Sequence, residues 1–480
     1  MLRARVGESG FVALNPDGVQ NIYIQGICGS AMAGVAKVLR EMGKVVRGSD
    51  RAFLSPMKEM LEALAVPTIE GYRPENLDPR PDLVIVGNVM SRAHAESAAV
   101  REQAIPYMSF PEFLEQTLLS EKRSIVVAGT HGKTTTTTLM AHVLDTLGES
   151  PGFLAGGVAK GFNTTARLGR GSWFVIEGDE YETAWFDKGP KFLHYRPHAA
   201  ILTSVEYDHA DIFRTFADYK QAFVRFSDIF EPDSLLAVCS EDVQDEVLEG
   251  FRGQLKTYAA AGDADLELEA LPETNPEGTR FRVRSYSGAV QELFIPLWGR
   301  HNIKNAMGVF QLLTELGFSA TAVAKGMATY PGVRRRGDVL LQSPNLWVVD
   351  DFAHHPAAVK TTLEGLREHF ASFSIIAVFE PRTNTSRTAV FQEAYACAFD
   401  AASHVLIMPP PPAKAGETPF SGEALAGELA ARGVHARCVS GNAEVLELLQ
   451  NMVKGRTLIV TLSNGSMDGL PFAISSGFRV

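Results

Sequence analysis

The segment Ser124-Ile125-Val126-Val127-Ala128-Gly129-Thr130-His131-Gly132-Lys133-Thr134-Thr135 limits the fold more than any other part of the chain. Its short β-rich apolar run reads as a buried strand, and Leu139, Met140, Val143 and Leu144 recur afterwards at helical spacing. Between strand and helix, two glycines let the backbone approach an anion with its amide N–H groups facing it. Lys133 adds positive charge, and a Thr134 hydroxyl at the helix start suits magnesium. Gly129, Thr130, His131, Gly132, Lys133, Thr134 and Thr135 are therefore read as a loop holding the phosphates of ATP. The full pattern has a further glycine four residues before Gly132, where Ala128 stands. The competing reading is a Thr-rich helix start with a chance Gly-Lys pair, and it leaves the strand–loop–helix context unexplained.

The same rhythm of strand, glycine turn and helix recurs in three segments, which predicts an α/β fold built on parallel sheets. Ile22-Tyr23-Ile24-Gln25 leads through Gly26-Ile27-Cys28-Gly29-Ser30 into a helix, and Leu83-Val84-Ile85-Val86 is a further strand. Trp173 to Glu177 and Ala199 to Thr203 read as additional buried strands, and residues 261–291 as an antiparallel excursion. The third segment offers strands at Leu346 to Val349, Ser374 to Val378, His404 to Ile407 and Thr457 to Val460. Pro409 to Pro412 end one of these and open a surface loop. A chain of 480 residues exceeds one ordinary core, and the expected domains are 1–122, 123–333 and 334–480.

The formal net charge of -11 argues against a nucleic-acid partner, although a local cation or helix N-terminus can still bind phosphate. Cys28, Cys239, Cys397 and Cys438 show neither CxxC pairing nor metal-ligand spacing, so no disulfide framework is expected. Met1 to Pro16 lacks the apolar core of a secretory signal, and no stretch is apolar enough to span a membrane. A cytoplasmic enzyme is expected.

Other residues gain weight from their places after strands. Glu177 ends an apolar strand, where α/β folds place their ligands, and is followed by Gly178-Asp179-Glu180-Tyr181-Glu182. Magnesium prefers such hard oxygen ligands. Taken singly, this acidic stretch would be a solvated turn. His209 follows a third strand; a lone histidine is more often structural, and its place beside Lys133 and Glu177 shifts the balance. Asn302 and Asn305 stand one helical turn apart behind His301 and suit an adenine edge, with helix capping as the alternative. The turn from Gly26 to Gly34 fails the GxGxxG spacing, because Cys28 takes the second glycine position.

Taken together, these motifs resemble the Mur ligase family of peptidoglycan synthesis over nearly the whole chain. The resemblance implies an N-terminal Rossmann-like domain binding a UDP-sugar, a central P-loop ATPase domain with a mostly parallel sheet, and a C-terminal Rossmann-like domain. Gly48-Ser49-Asp50, Gly161-Phe162-Asn163, Gly178 to Lys188 with Lys191 to Tyr195, Asp350 to Pro356, and Glu380-Pro381-Arg382-Thr383-Asn384-Thr385 are similar to the branch that joins a murein tripeptide to UDP-N-acetylmuramate. It further implies catalytic roles for Lys133, Glu177, His209 and Arg336. Thr134, Glu177 and His209 would serve magnesium, and His301, Asn302, Asn305, Arg336 and Asp351 would contact ATP. Gly26, Cys28, Gly29, Ser30 and Asp50 would line the UDP-sugar, and His355, Arg382 and Asn384 the peptide. Several relatives carry a carbamylated lysine after the histidine, but the register puts Phe223 or Val224 there, with Lys220 out of register.

The implied chemistry is attack of the lactyl carboxylate on the γ-phosphate of ATP, then attack of the tripeptide's L-alanine amine on the acyl phosphate. The resemblance places ATP between the central and C-terminal domains, so closure that excludes water is expected. His209, His354 and His355 are all candidates for deprotonating the amine. Partners are then UDP-N-acetylmuramate and the tripeptide, with no membrane and a monomer or weak dimer. The rivals are an L-alanine-adding ligase, a nicotinamide oxidoreductase on the first glycine turn, and a nucleotide-binding scaffold without chemistry. The oxidoreductase leaves the phosphate loop unexplained, and the clustering of Lys133, Glu177 and His209 speaks against the scaffold.

Overall fold

A computed structural model describes residues 1–206, 213, 215–383, 385–412 and 417–479. His209 and Asn384 lie outside the described residues. The chain divides into two units, one of residues 1–271, 281–293 and 303–331, the other of residues 272–280, 294–302 and 332–480.

Among the described residues, the first unit holds two large sheets and a two-stranded hairpin. One runs in the order Gly10–Leu14, Leu2–Val6, Tyr107–Ser109, Leu83–Val86, Asn21–Gln25, Val45–Asp50 and Thr68–Glu70. Its last five strands are parallel, and the N-terminal pair adds an antiparallel edge. Met1 to Pro16 thus builds a strand pair. Leu2 and Ala4 are buried, but Gly10–Leu14 has no buried residue and offers no clear alternation.

The other sheet is parallel through Gly152–Ala159, Trp173–Gly178, Arg123–Ala128, Pro197–Leu202, Leu235–Cys239 and Gln254–Ala259. Ile125, Val126, Val127 and Ala128 have no exposed surface, because helices cover both faces of the sheet. The expected antiparallel excursion is present: Leu266–Leu268 pairs antiparallel with Gly278–Ser285.

The second unit is built on Asp338–Gln342, Leu346–Asp351, Thr457–Leu462, Ser374–Phe379, His404–Ile407 and His435–Cys438, parallel except for the first. All four cysteines are free. Among the described residues, no helix is long and apolar enough to cross a membrane.

Candidate active site

In the first unit the strand Arg123–Ala128 runs straight into the phosphate loop. Ala128 pairs with Gly178 on one side and Leu202 on the other, so the strand continues through the position where the longer motif has glycine. The turn begins at Gly129, whose φ of +133° favours glycine, and a Cβ there would lie 2.2 Å from Thr203 Oγ1. Gly132, at φ +78°, caps the helix Lys133–Thr146, and no side chain caps that helix start. That leaves its first-turn N–H groups able to face an anion. Thr130 and His131 act differently. Their N–H groups donate to Ser204, at 2.9 Å to its carbonyl and 3.2 Å to its hydroxyl, which pins the loop to the neighbouring strand's exit.

Lys133 Nζ donates to Gly129 O (2.6 Å), Thr130 O (3.2 Å) and Glu180 Oε2 (2.8 Å). Burial works against its charge, and Glu180, Asp179 and Glu177 outweigh burial and raise its pKa above the ordinary lysine value. Thr134 Oγ1 donates to Glu177 Oε1 at 3.0 Å, and Gly156 N–H donates to Oε2 at 2.6 Å. Burial pushes the Glu177 carboxyl up, against Gly156, Lys133 and Thr134, which pull it down. The structure thus brings Lys133, Thr134 and Glu177 together at adjoining strand ends. Hard oxygens from a hydroxyl and a carboxylate at a helix N-terminus fit a magnesium–nucleotide complex. Asn305 faces the same loop: a Cβ on Gly132 would lie 2.4 Å from its Oδ1.

Glu180 carries no mark of its own among the acidic residues of its stretch. Its side chain is fully buried against Lys133, and Tyr219 Oη lies 3.4 Å from Glu180 Oε1 and 2.8 Å from Thr130 Oγ1. Nothing in one sequence tells which carboxylate of Asp179, Glu180 and Glu182 turns inward. Phe223 is wholly buried and Lys220 pairs with Glu246, so neither stands in for a carbamylated lysine.

The residues after Glu177 also reach the N-terminal sheet. The hairpin of Glu182–Ala184 and Asp187–Pro190 stacks Trp185 on Tyr107, and Phe186 meets the Arg5 guanidinium. His194 bridges Glu115 (3.0 Å) and Asp187 (2.7 Å). That accounts physically for the Tyr181 to Tyr195 stretch as a strut between the two sheets.

The expected UDP-sugar residues form a second strand-to-helix turn in this unit. Gly26 has φ +78°, Cys28 N–H donates to Asp50 Oδ2 at 2.7 Å, and Gly29 precedes the uncapped helix Ser30–Glu41.

In the second unit, Asp351 accepts from Gly337 N–H (2.6 Å) and Ala353 N–H (2.8 Å), and the exposed Arg336 lies over the Phe352 ring. Burial pushes the Asp351 carboxyl up, while Arg336 and the two amides oppose it. His355 precedes the helix Pro356–His369 and packs edge-on against Phe391. Arg382 pairs with the buried Glu380 at 3.4 Å. His301 and Asn302 open the helix Arg300–Glu315, where Asn302 donates to Trp298 O at 2.7 Å.

Three family models match consecutive stretches: the Mur ligase family catalytic domain over residues 21–122, the Mur ligase middle domain over 127–313, and the Mur ligase glutamate ligase domain over 335–465. The chain belongs to the Mur ligase family, with its three-domain α/β architecture, and is an ATP-dependent amide-forming ligase. It is 33% identical over 462 residues to the UDP-N-acetylmuramate–L-alanyl-γ-D-glutamyl-meso-2,6-diaminoheptandioate ligase of Escherichia coli, covering 94% of this chain and 96% of that protein. The protein of that name from Haemophilus influenzae is 35% identical, with 94% and 98% covered. Of solved structures, UDP-N-acetylmuramate-alanine ligase from Thermotoga maritima matches at TM-score 0.80 and 25% identity, over 95% of this chain and 98% of that one. A murein peptide ligase from Psychrobacter arcticus matches at 0.70 and 30%, over 96% and 99%.

Proposed function

We propose that this chain joins L-alanyl-γ-D-glutamyl-meso-diaminopimelate to the lactyl carboxylate of UDP-N-acetylmuramate, in the recycling of peptidoglycan peptides. The observation that carries the ATP-dependent step is the meeting of Lys133, Thr134 and Glu177 at the ends of adjoining strands. The tripeptide as acceptor is supported by similarity, over nearly the full length, to two ligases named for it.

Phosphoryl transfer calls for positioning and charge neutralisation more than for a covalent residue. Lys133 and the first-turn amides of Lys133–Thr146 would hold the phosphates, and Thr134 and Glu177 a magnesium ion that neutralises their charge. Asn305 serves the nucleotide from beside Gly132. Gly26 to Ser30 and Asp50 receive the UDP-sugar, Arg336 and Asp351 serve ATP from the C-terminal part, and Arg382 takes a peptide carboxylate. The domain limits proposed are 1–122, 123–333 and 334–480.

The test is phosphate release with ATP, magnesium and UDP-N-acetylmuramate, using L-alanine, tripeptide and tetrapeptide as amines. Tripeptide is expected to give the highest kcat/KM. A second reading, an L-alanine-adding ligase, is favoured by the TM-score of 0.80 to such an enzyme. Faster turnover with free L-alanine than with tripeptide would establish it instead.

A further inference from the structure

Glu96 sits in the first turn of the helix Ala95–Glu102 with no exposed surface. Its two oxygens accept four side-chain hydrogen bonds. Tyr23 Oη (2.8 Å) and Asn76 Nδ2 (2.9 Å) donate to Oε1, while Gln25 Nε2 (2.9 Å) and Ser49 Oγ (2.8 Å) donate to Oε2. A carboxylate is retained away from water only where such donors replace its hydration. An apolar residue would fill the space at lower cost, so the position of these donors is informative.

Three of the four adjoin the turn that carries Gly26 to Ser30 and Asp50. Gln25 immediately precedes Gly26 at the end of Asn21–Gln25. Ser49 immediately precedes Asp50, and its carbonyl accepts from Gly26 N–H (2.8 Å) and Ile27 N–H (3.0 Å). Asn76 also donates to Gly71 O at 2.8 Å, and Gly71 N–H donates to Asp50 O at 2.8 Å. Asp50 in turn takes Cys28 N–H on Oδ2 and the Tyr72 hydroxyl on Oδ1, at 3.0 Å. One buried carboxylate therefore ties together the exits of three parallel strands, beneath the loop whose amides would meet a diphosphate.

We propose that Glu96 is a positioning residue for the nucleotide-sugar substrate, fixing the Gly26–Ser30 turn and Asp50 without touching the ligand. This rests on the reading of that turn as the UDP-sugar site. Glu96→Gln keeps the volume but replaces one acceptor oxygen by an NH2 group, so two donors lose their acceptor.

The experiment measures kcat, the KM for UDP-N-acetylmuramate, the KM for ATP and the melting temperature in the parent, Glu96→Gln, Ser49→Ala, Tyr23→Phe and Asp50→Ala. Glu96→Gln is expected to raise the UDP-N-acetylmuramate KM by about tenfold or more, leaving kcat and the ATP KM within about twofold. Ser49→Ala shifts the same constant in the same direction by less, and decides the matter should Glu96→Gln fail to fold. Tyr23→Phe, which loses a bond three residues upstream of the turn, shifts it less than Ser49→Ala. Lower melting temperatures with an unmoved UDP-N-acetylmuramate KM, or equal losses in all constants, overturn the inference. If Asp50→Ala also leaves that KM unmoved, the site reading itself fails. If Asp50→Ala raises it while Glu96→Gln and Ser49→Ala do not, only the role of Glu96 fails.

Discussion

The ammonium of Lys133 stands 2.8 Å from Oε2 of Glu180, a carboxylate whose side chain has no exposed surface. With Gly129 and Thr130 carbonyls as its other acceptors, all three N–H donors of the lysine are satisfied before any phosphate arrives. Nucleotide binding must therefore exchange one of these acceptors, and the side chain of Glu180 is the one outside the loop.

Removing the lysine leaves a buried charge unpaired. Lys133→Ala is expected to abolish phosphate release and also to destabilise the fold by about 3 kcal/mol. Adding Glu180→Gln to that variant should return much of the stability and none of the turnover. Urea unfolding and phosphate release check both parts. Normal stability in the single variant would show that the pair contributes little, and turnover in the double variant would remove Lys133 from the phosphate site.

His194 gives a pH signature. Burial opposes its charged form, but hydrogen bonds to Asp187 and Glu115 outweigh it and raise its pKa to about 9. The folded value exceeds the ordinary 6.5, so this stabilisation is complete below about pH 6.5 and lost as pH rises through about 9. It amounts to at most about 3 kcal/mol. Unfolding free energies from pH 6 to 10 should therefore fall more steeply for the parent than for His194→Gln. Parallel curves would mean that His194 does not hold its charge in the folded state.

Much of this architecture was legible because central strands buried on both faces leave continuous apolar runs, as at Ile125 to Val127 and Ile375 to Val378. Edge strands such as Asp338–Gln342 and His435–Cys438 carry exposed polar residues and gave no such run. The same contrast runs through the site. Lys133, Thr134 and Glu177 sit at strand and helix ends, where sequence position fixes spatial position. Glu180 follows Gly178, where the chain has left the strand and alternation no longer tells inside from outside. Glu96 was invisible for another reason: its burial is set by four donors on three segments, 20 to 73 residues away.

The hairpin at Glu182 to Pro190 separates docking from acceptor choice. Trp185 stacks on Tyr107 at 5.9 Å and takes the Arg101 guanidinium at 5.2 Å. Trp185→Ala is expected to cost about 3 kcal/mol of stability and to lower turnover with every amine alike. A change in the ratio of tripeptide to L-alanine turnover would instead make the hairpin a determinant of specificity.

Arg382 and Gly465 supply the sharpest test of the peptide site. A Cβ on Gly465 would lie 2.4 Å from Arg382 Cδ, so the arginine occupies space that only glycine leaves free. Glu380 Oε1 holds the guanidinium at Nη1, 3.4 Å away, and its own Oε2 accepts from Ser463 Oγ at 2.5 Å. Gly465→Ala should therefore displace Arg382 without removing its charge. If the guanidinium pairs bidentately with a peptide carboxylate, displacement and deletion have the same consequence. Arg382→Ala and Gly465→Ala are both expected to raise the tripeptide KM by about tenfold or more, with the KM for ATP within about twofold. Arg382→Lys, which keeps charge but loses the planar fork, should resemble the alanine variant more than the parent. An unchanged tripeptide KM in Gly465→Ala alone would mean that Arg382 acts from a position it reaches only with substrate bound. An unchanged value in all three variants would take Arg382 out of the peptide site.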